Sequence, residues 1–429
     1  MDAKLIAQIH QMNPWLQRPE TPILPTDHYV PRLQTEKLAL PDWDRLVTIL
    51  VGPRQAGKTT LGKFLCQEII KQGRFEQLLF LTCDSPLIRH WLDGIHIINE
   101  LIEEFELTQF ILFIDEVQRL ENPGLFLKSL VDLNLKIKLI VTGSSQLEIK
   151  SKVQEHLTGR QFEAIILPLS HQELGTKLNL EAELIYGCYP QIILGNEKRA
   201  LLSQLYQNYI NRDIVEILRV RNPLVLEKIM MLIAHSSGQL LNYQTLANDC
   251  NVSVTMIRHY LSVLEKTYVL QTIYPFTGNK RTEITSNPKC YYIDNGFRNQ
   301  ALGNFSPVDN RTDNGLLVES AVFQEILKYK VQHFLDFKIN FWRTKSGAEV
   351  DFVLYKNLEF FYPIEVKYQN FKKPTISRSF RSFIDAYQPQ KGFIITRDFN
   401  ERTMIDKTEV IFIPLRKIKN LFSELNAVF

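Results

Sequence analysis

The chain has 429 residues, 45% of them hydrophobic and 23% charged, with a formal net charge of +3 at pH 7. That length implies two or three domains with separate cores, in an ordinary globular composition, and the charge is too slight to imply a nucleic-acid partner by itself. No apolar run approaches the ~20 residues of a membrane span. The N-terminus lacks the apolar core of a signal peptide, and the five scattered cysteines show no C-x-x-C spacing, so neither a zinc site nor a disulfide framework is expected. These features describe a cytosolic protein.

Residues 1–45 open with the stripe of a short amphipathic helix and turn Pro-rich after Asn13-Pro14-Trp15, which reads as an extended arm. Strand-like runs then recur at Leu46–Val51, Leu78–Cys83, Phe110–Ile114, Lys138–Thr142 and Glu163–Leu167, with helical stretches between most of them. This alternation predicts an α/β domain over 46–170, a parallel sheet covered by helices on both faces. After the first run comes Gly52-Pro53-Arg54-Gln55-Ala56-Gly57-Lys58-Thr59, which fits G-x-x-x-x-G-K-[ST]. A helical pattern with Leu61, Phe64, Leu65 and Ile69 on one face follows it. In such a strand–loop–helix unit the glycines let backbone N–H groups wrap phosphates, Lys58 reaches the β/γ-phosphates, and the Thr59 hydroxyl reaches Mg²⁺. ATP is the expected ligand.

The third run ends in Asp115-Glu116, at the sheet edge where ligands of α/β proteins bind. Asp115 suits contact with Mg²⁺, and Glu116 suits polarising an attacking water. Residues 171–225 read as helical, with breaks at Gly187–Pro190 and Asn222-Pro223. Within 226–295, a helix over Leu226–Ala234 precedes a short helix, a turn through Asn251, and a second helix capped by Ser253. With strands near Tyr268–Ile273 and Lys289–Ile293, this reads as a winged helix-turn-helix. Its second helix offers only Arg258, His259 and Lys266 as cations, so DNA reading and packing against a protein partner both stay open.

Residues 310–429 carry a second constellation. From Asn340 onward there are 15 Lys+Arg against 10 Asp+Glu, compatible with a polyanionic partner or with an ordinary solvated surface. On the helical pattern Gly315–Leu327, Glu319 falls within the apolar face formed by Leu316, Val322, Phe323 and Ile326, where an unpaired carboxylate is costly. Glu349–Tyr355 and Tyr362–Lys367 read as strands; Asp351 interrupts the first, and Glu365 and Lys367 share one face of the second. Asp351 and Glu365, with the Val366 carbonyl, would make a hard oxygen site for Mg²⁺ or Mn²⁺, with Glu319 on a metal-bound water and Lys367 stabilising hydroxide or phosphate charge. The alternative is a structural ion-pair cluster.

Over nearly its whole length the chain resembles the predicted AAA+ superfamily ATPases of bacteria and archaea that carry a C-terminal domain of unknown function. The resemblance rests on Asn13-Pro14-Trp15, Gly52 through Thr60, Phe113–Gln118, Val141–Ser145, Thr158-Gly159-Arg160 and Leu167–Ser170. Downstream it continues with Gly187–Pro190, Asn211–Ile214, Tyr260–Glu265 and Trp342–Asp351. It implies that the nucleotide site extends to Thr60 and includes Ser144, and that Thr142–Ser145 supply a sensor polar group at the tip of the fourth core strand. Arg160 would be a sensor or arginine finger, in cis or from a neighbouring subunit through self-association. The C-terminal region also resembles the restriction-endonuclease-like PD-(D/E)xK superfamily, which would make Glu319, Asp351, Glu365 and Lys367 a metal-dependent nuclease site acting on DNA. The expectation is an ATP-hydrolysing protein that couples nucleotide state to this domain, or a regulatory ATP switch whose nuclease-like domain is a docking platform without catalysis.

Overall fold

Strands buried on both faces of a parallel sheet need largely apolar runs, and the runs of the first half meet that demand except the last, Gln161–Ile165, an edge strand that carries Gln161 and Glu163 and is only partly covered. They form β1 (Val47–Val51), β2 (Gln77–Thr82), β3 (Phe110–Asp115), β4 (Ile137–Gly143) and β5 (Gln161–Ile165). The computed structural model describes residues 1–24, 29–92, 97–133, 135–143, 156–210, 214, 222–276, 287–357 and 360–426. These divide into two units, Met1–Pro168 and Leu169–Phe429.

In the first unit all strand pairings are parallel, in the order β2-β3-β4-β1-β5. The register sets Val51 beside Gly143 and Thr82 beside Asp115, so the C-terminal ends of β1, β3 and β4 share one edge. Because β4 lies between β1 and β3, its tip stands between the phosphate loop and the Asp115-Glu116 pair. The helix after β1, α1 (Lys58–Lys71), buries Leu61, Leu65, Cys66 and Ile69. Each fully buried Leu or Ile contributes about 1.5–3 kcal/mol relative to an exposed one.

Both edges of this sheet are closed by side chains of the N-terminal arm. On β2, the Asn13 side chain donates to the Phe80 carbonyl at 2.8 Å and accepts from the Phe80 N–H at 2.6 Å, and the Trp15 indole donates to the Leu78 carbonyl at 2.9 Å. At the β5 edge, Gln34 donates to the Ile165 carbonyl at 2.7 Å and Arg32 to the Leu167 carbonyl. An open strand edge is a template for unwanted pairing, and these contacts cover it without adding a strand.

The second unit begins with short helices over His171–Leu174, Leu180–Tyr186, Pro190–Ile193 and Lys198–Asn208, then Pro223–His235. The breaks fall at Gly187–Pro190 and Asn222-Pro223, where the sequence places them. Next, α2 (Tyr243–Cys250) ends at Asn251 in the left-handed region, φ 53°, and α3 (Val254–Lys266) starts at Ser253, whose hydroxyl accepts from the Met256 N–H. Ile257, Leu261 and Leu264 face inward.

Strands β6 (Leu270–Pro275) and β7 (Lys289–Tyr292) pair antiparallel. They also run on into the C-terminal sheet, because Tyr274 and Pro275 pair with Asn340 and Phe341 of β8 (Lys338–Arg343). With β9 (Glu349–Asn357), β10 (Phe360–Lys367), β11 (Lys391–Thr396), β12 (Arg402–Ile405) and β13 (Thr408–Pro414), they make one mixed sheet in the order β12-β13-β11-β10-β9-β8-β6-β7. One face packs Phe352, Leu354, Ile364 and Ile395 with α4 (Asn314–Gln332); the other packs Val353, Ile394 and Phe412 with α5 (Arg378–Tyr387).

Candidate functional site

The phosphate loop takes its shape from two glycines. Gly52 leaves β1 at φ +148°, and a Cβ there would lie 2.1 Å from the Ile166 carbonyl oxygen, so the strand exit admits no side chain. Gly57, at φ +94°, precedes the first turn of α1, whose free N–H groups and positive dipole end favour phosphate. Pro53 and Ala56 are buried, Arg54 and Thr59 are partly covered, and Gln55 and Thr60 are exposed. Lys58 is buried, and its ammonium donates to the Gly52 carbonyl at 3.0 Å and the Pro53 carbonyl at 2.9 Å.

Three strand tips converge beside this loop. The Thr59 hydroxyl donates to Asp115 Oδ1 at 2.8 Å, and the Thr142 hydroxyl donates to the same oxygen at 2.6 Å. Thr142 also accepts from the Glu116 N–H at 2.9 Å, which fixes Glu116 in a left-handed conformation, φ 55°. Glu116 in turn accepts from the Gln118 amide at 2.6 Å. Burial pushes the Asp115 carboxyl up, and the hydroxyls of Thr142 and Thr59 hold it down. A hard oxygen pair, Thr59 with Asp115, at the mouth of a phosphate loop has the chemistry of a Mg²⁺–nucleotide site. Thr142 is the first residue of the stretch Thr142–Ser145 from which the family resemblance draws a sensor group, and its partners Asp115 and Glu116 follow from β4 lying between β1 and β3.

Two further residues were expected here. Ser144 lies outside the described residues, as do Asn211, Arg212 and Asp213 of the family-like stretch. Arg160 stands just before β5, where its carbonyl accepts from the Val47 N–H at the N-terminal edge of the sheet. The phosphate loop follows Val51, about 13 Å along β1 on the opposite edge. Half exposed, the Arg160 guanidinium pairs with Asp132. The length of β1 thus separates Arg160 from its own Lys58.

In the second unit, Glu319, Asp351, Glu365 and Lys367 do come within electrostatic reach of one another, but each carboxylate already has protein partners. Tyr291 donates to Glu319 Oε1 at 2.6 Å. Lys289, almost completely buried on β7, sets its ammonium 2.5 Å from Glu349 Oε1 and 3.5 Å from Glu319 Oε1. Asp351 Oδ2 accepts from the Val366 N–H at 2.7 Å. Glu365 accepts the Ser377 hydroxyl, 2.9 Å from each of its oxygens, and pairs with Lys367 at 3.0 Å. Burial and the Asp351 charge raise the Glu319 carboxyl to about 7, against the pull of Lys289. Burial also raises Asp351 and Glu365, against Lys289 and Lys367 respectively. Among the described residues, no three of His, Cys, Asp and Glu come together as a metal-holding group. The expected carboxylates are brought together; Lys289, Tyr291, Glu349 and Ser377 are members the sequence reading missed.

A further buried charge cluster also escaped that reading. His171 Nε2 lies 2.8 Å from Glu183 Oε2, its backbone N–H donates to Glu325 Oε2 at 2.9 Å, and Lys328 pairs with Glu325 Oε1 at 2.8 Å. Burial opposes the imidazolium, but Glu183 and Glu325 outweigh it and raise His171 to about 9. On α3, the Arg258 guanidinium lies 4.1 Å over the Tyr243 ring. No described helix is long and apolar enough to cross a membrane.

Comparison with known proteins agrees with the geometry of the first unit. Residues 44–175 match the family model described as an AAA domain. Residues 177–308 and 314–418 match two models described as domains of unknown function, DUF8612 and DUF4143. An uncharacterized protein of Haemophilus influenzae is 23% identical over 389 residues, covering 86% of this chain and 93% of its own length. One of Mycobacterium tuberculosis is 28% identical over 345 residues, covering 78% and 73%. AMPPCP-bound DnaA from Aquifex aeolicus aligns at 17% identity over 54% of this chain and 85% of that one, with a TM-score of 0.29, too slight a likeness to carry a conclusion. The strand order, the phosphate loop and the matched family model agree that the chain carries an AAA-type P-loop ATPase domain.

Proposed function

We propose that the protein is an ATP-driven switch whose second unit carries a nuclease-like fold without metal-dependent catalysis. In the first unit, residues Gly52 through Thr60 hold the triphosphate, Thr59 and Asp115 hold Mg²⁺, and Glu116 orients the attacking water. Arg160 acts on the nucleotide of a neighbouring copy. The observation that carries the choice between nuclease and switch is the lysine compensation of the second unit's carboxylates. Lys289 lies between Glu319 and Glu349, and Lys367 is paired with Glu365. Two ammonium groups face four carboxylates, Glu319, Glu349, Asp351 and Glu365, so the cluster is partly compensated and its ammonium groups compete with a divalent ion for the oxygens. The arrangement favours the ion-pair reading of the sequence over the metal one, and leaves protein or DNA docking as this unit's role.

The test is incubation of plasmid, single-stranded and branched DNA with the full chain, Mg²⁺ or Mn²⁺, with and without ATP, alongside Glu365→Ala. ATP turnover without cleavage is the expected result. Cleavage that disappears in Glu365→Ala would restore the nuclease.

A further inference from the structure

Lys289 belongs to no motif in the chain, and it comes from a strand pair remote in sequence from the carboxylates it meets. Its position follows from register. Pairing of Ile273 with Lys289 in the β6–β7 ladder, and of Tyr274 with Asn340 in β6–β8, brings the lysine to the end of β9 where Glu349 and Asp351 lie. The Phe341 ring, 5.5 Å away, covers the ammonium from the β8 side. The whole side chain is about as buried as a core leucine. A lysine ammonium costs several kcal/mol to desolvate unless carboxylates surround it, and here Glu319, Asp351 and Glu349 all act on it.

We infer that the Lys289 ammonium is a built-in substitute for a divalent cation, and that it keeps the Glu319–Glu349–Asp351 group from binding one. This inference rests on the reading of the second unit as non-catalytic and supplies its physical cause. The donor set supports it. Glu319 Oε1 is shared between the Tyr291 hydroxyl and Lys289, Glu349 Oε1 is taken by Lys289, and Asp351 Oδ2 is taken by the Val366 N–H. A Mg²⁺ or Mn²⁺ ion needs several of these oxygens at about 2.0–2.2 Å. The ammonium carries one charge where such an ion would carry two; it hydrogen-bonds Glu349, stands at ion-pair distance from Glu319 and acts on Asp351 through charge. Ion and ammonium cannot occupy one set of oxygens together. Removing the ammonium leaves a buried acidic group with excess negative charge, which is what a hard cation requires.

The measurement is Mn²⁺ binding followed by electron paramagnetic resonance, with nucleotide omitted so that the ATPase site contributes only its nucleotide-free background. The proteins are the full-length wild type, Lys289→Met, Lys289→Arg, and Lys289→Met combined with Glu319→Gln. Circular dichroism and a urea titration confirm that each is folded. Lys289→Met should gain one Mn²⁺ site, tighter than any in wild type by on the order of a hundredfold, because one competing unit charge is gone from a poorly screened site. Lys289→Arg should stay like wild type, and the double variant should lose the gained site. If Lys289→Met does not fold, metal-induced recovery of its structure, absent with Glu319→Gln, supports the same conclusion, and no recovery refutes it. Wild-type binding that depends on Glu319, with no gain in Lys289→Met, also overturns the inference. DNA cleavage is scored separately, so a wild type that excludes Mn²⁺ yet cuts DNA would sink the non-catalytic reading and leave this one standing.

Discussion

Replacing Thr142 with valine tests whether the tip of β4 organises the ATPase site. The hydroxyl is fully buried, donates to Asp115 at 2.6 Å and accepts from the Glu116 N–H at 2.9 Å. Valine matches its shape and deletes both bonds. A hydrogen bond to a charged group contributes about 1.5–3 kcal/mol and a neutral one about 1 kcal/mol, so the first unit should lose roughly 2–4 kcal/mol of stability. Turnover should fall further than binding. Asp115 keeps Thr59 as a donor, whereas the Glu116 N–H loses its acceptor and the left-handed turn at Glu116 is released. Losses on the order of 10- to 100-fold are usual when a group that orients a metal ligand is removed. Because the Thr142 hydroxyl holds the Asp115 carboxyl down, its loss should also move the acid limb of the ATPase profile to higher pH. The assays are urea unfolding, fluorescent-nucleotide binding and phosphate release across pH, with Thr142→Ser as the conservative control. A valine variant with wild-type turnover and an unchanged urea midpoint would refute the reasoning; so would a serine variant as impaired as valine.

Lys58→Ala should abolish nucleotide binding, since the loop loses the ammonium beside the phosphate cradle, and equilibrium dialysis with labelled ATP checks this. Glu116→Gln should keep binding and lose turnover; hydrolysis at the wild-type rate would show that Glu116 does not activate water. Gly62→Ala would place a Cβ 2.4 Å from the Phe113 ring and should destabilise the first unit by about 1–3 kcal/mol in a urea titration, the usual cost of overpacking. The His171 cluster gives a pH prediction. With its folded value raised to about 9 from an ordinary 6.5, His171 contributes stability that is full below about 6.5 and lost as pH rises through about 9. The loss should be on the order of 3 kcal/mol. Urea midpoints at pH 7 and pH 10 should therefore differ more in wild type than in His171→Gln, and equal differences would remove the imidazolium from the account.

The nucleotide site was legible in the sequence to the extent that it is local. Gly52, Gly57, Lys58 and Thr59 stand within one turn of chain, and Asp115-Glu116 ends an apolar run whose direction fixes its edge of the sheet. What could not be read is whatever depends on lateral strand order. The bonds of Thr142 to Asp115 and Glu116 arise because β4 lies between β1 and β3; Arg160, by contrast, stands before the run Glu163–Leu167 in the sequence itself, and the direction of that strand sets its edge. The same limit applies in the second unit. Glu319, Asp351, Glu365 and Lys367 could be grouped by periodicity, since a misplaced carboxylate on a helix and an alternating strand are one-dimensional signals. Lys289 arrives through two successive strand pairings, and no pattern along the chain encodes it. His171 meets Glu325 across 154 positions for a similar reason.

The two carboxylate groups of this protein differ in what their neighbours bring. Asp115 is hydrogen-bonded by two hydroxyls, neutral groups that orient a carboxylate without cancelling its charge. Its negative charge stays available to a cation that comes with the nucleotide, and burial makes that attraction stronger than it would be in water. Glu319, Glu349 and Glu365 are instead met by the ammonium groups of Lys289 and Lys367, which offset part of their charge within the fold. A chain that binds and releases a nucleotide needs the first arrangement, because there the cation must be able to leave. The second arrangement is suited to holding β7, β9, β10 and α4 in fixed relation. Under the proposed switch, ligand-dependent change would originate in the first unit, while the second unit's ion pairs tie β7, β9, β10 and α4 together.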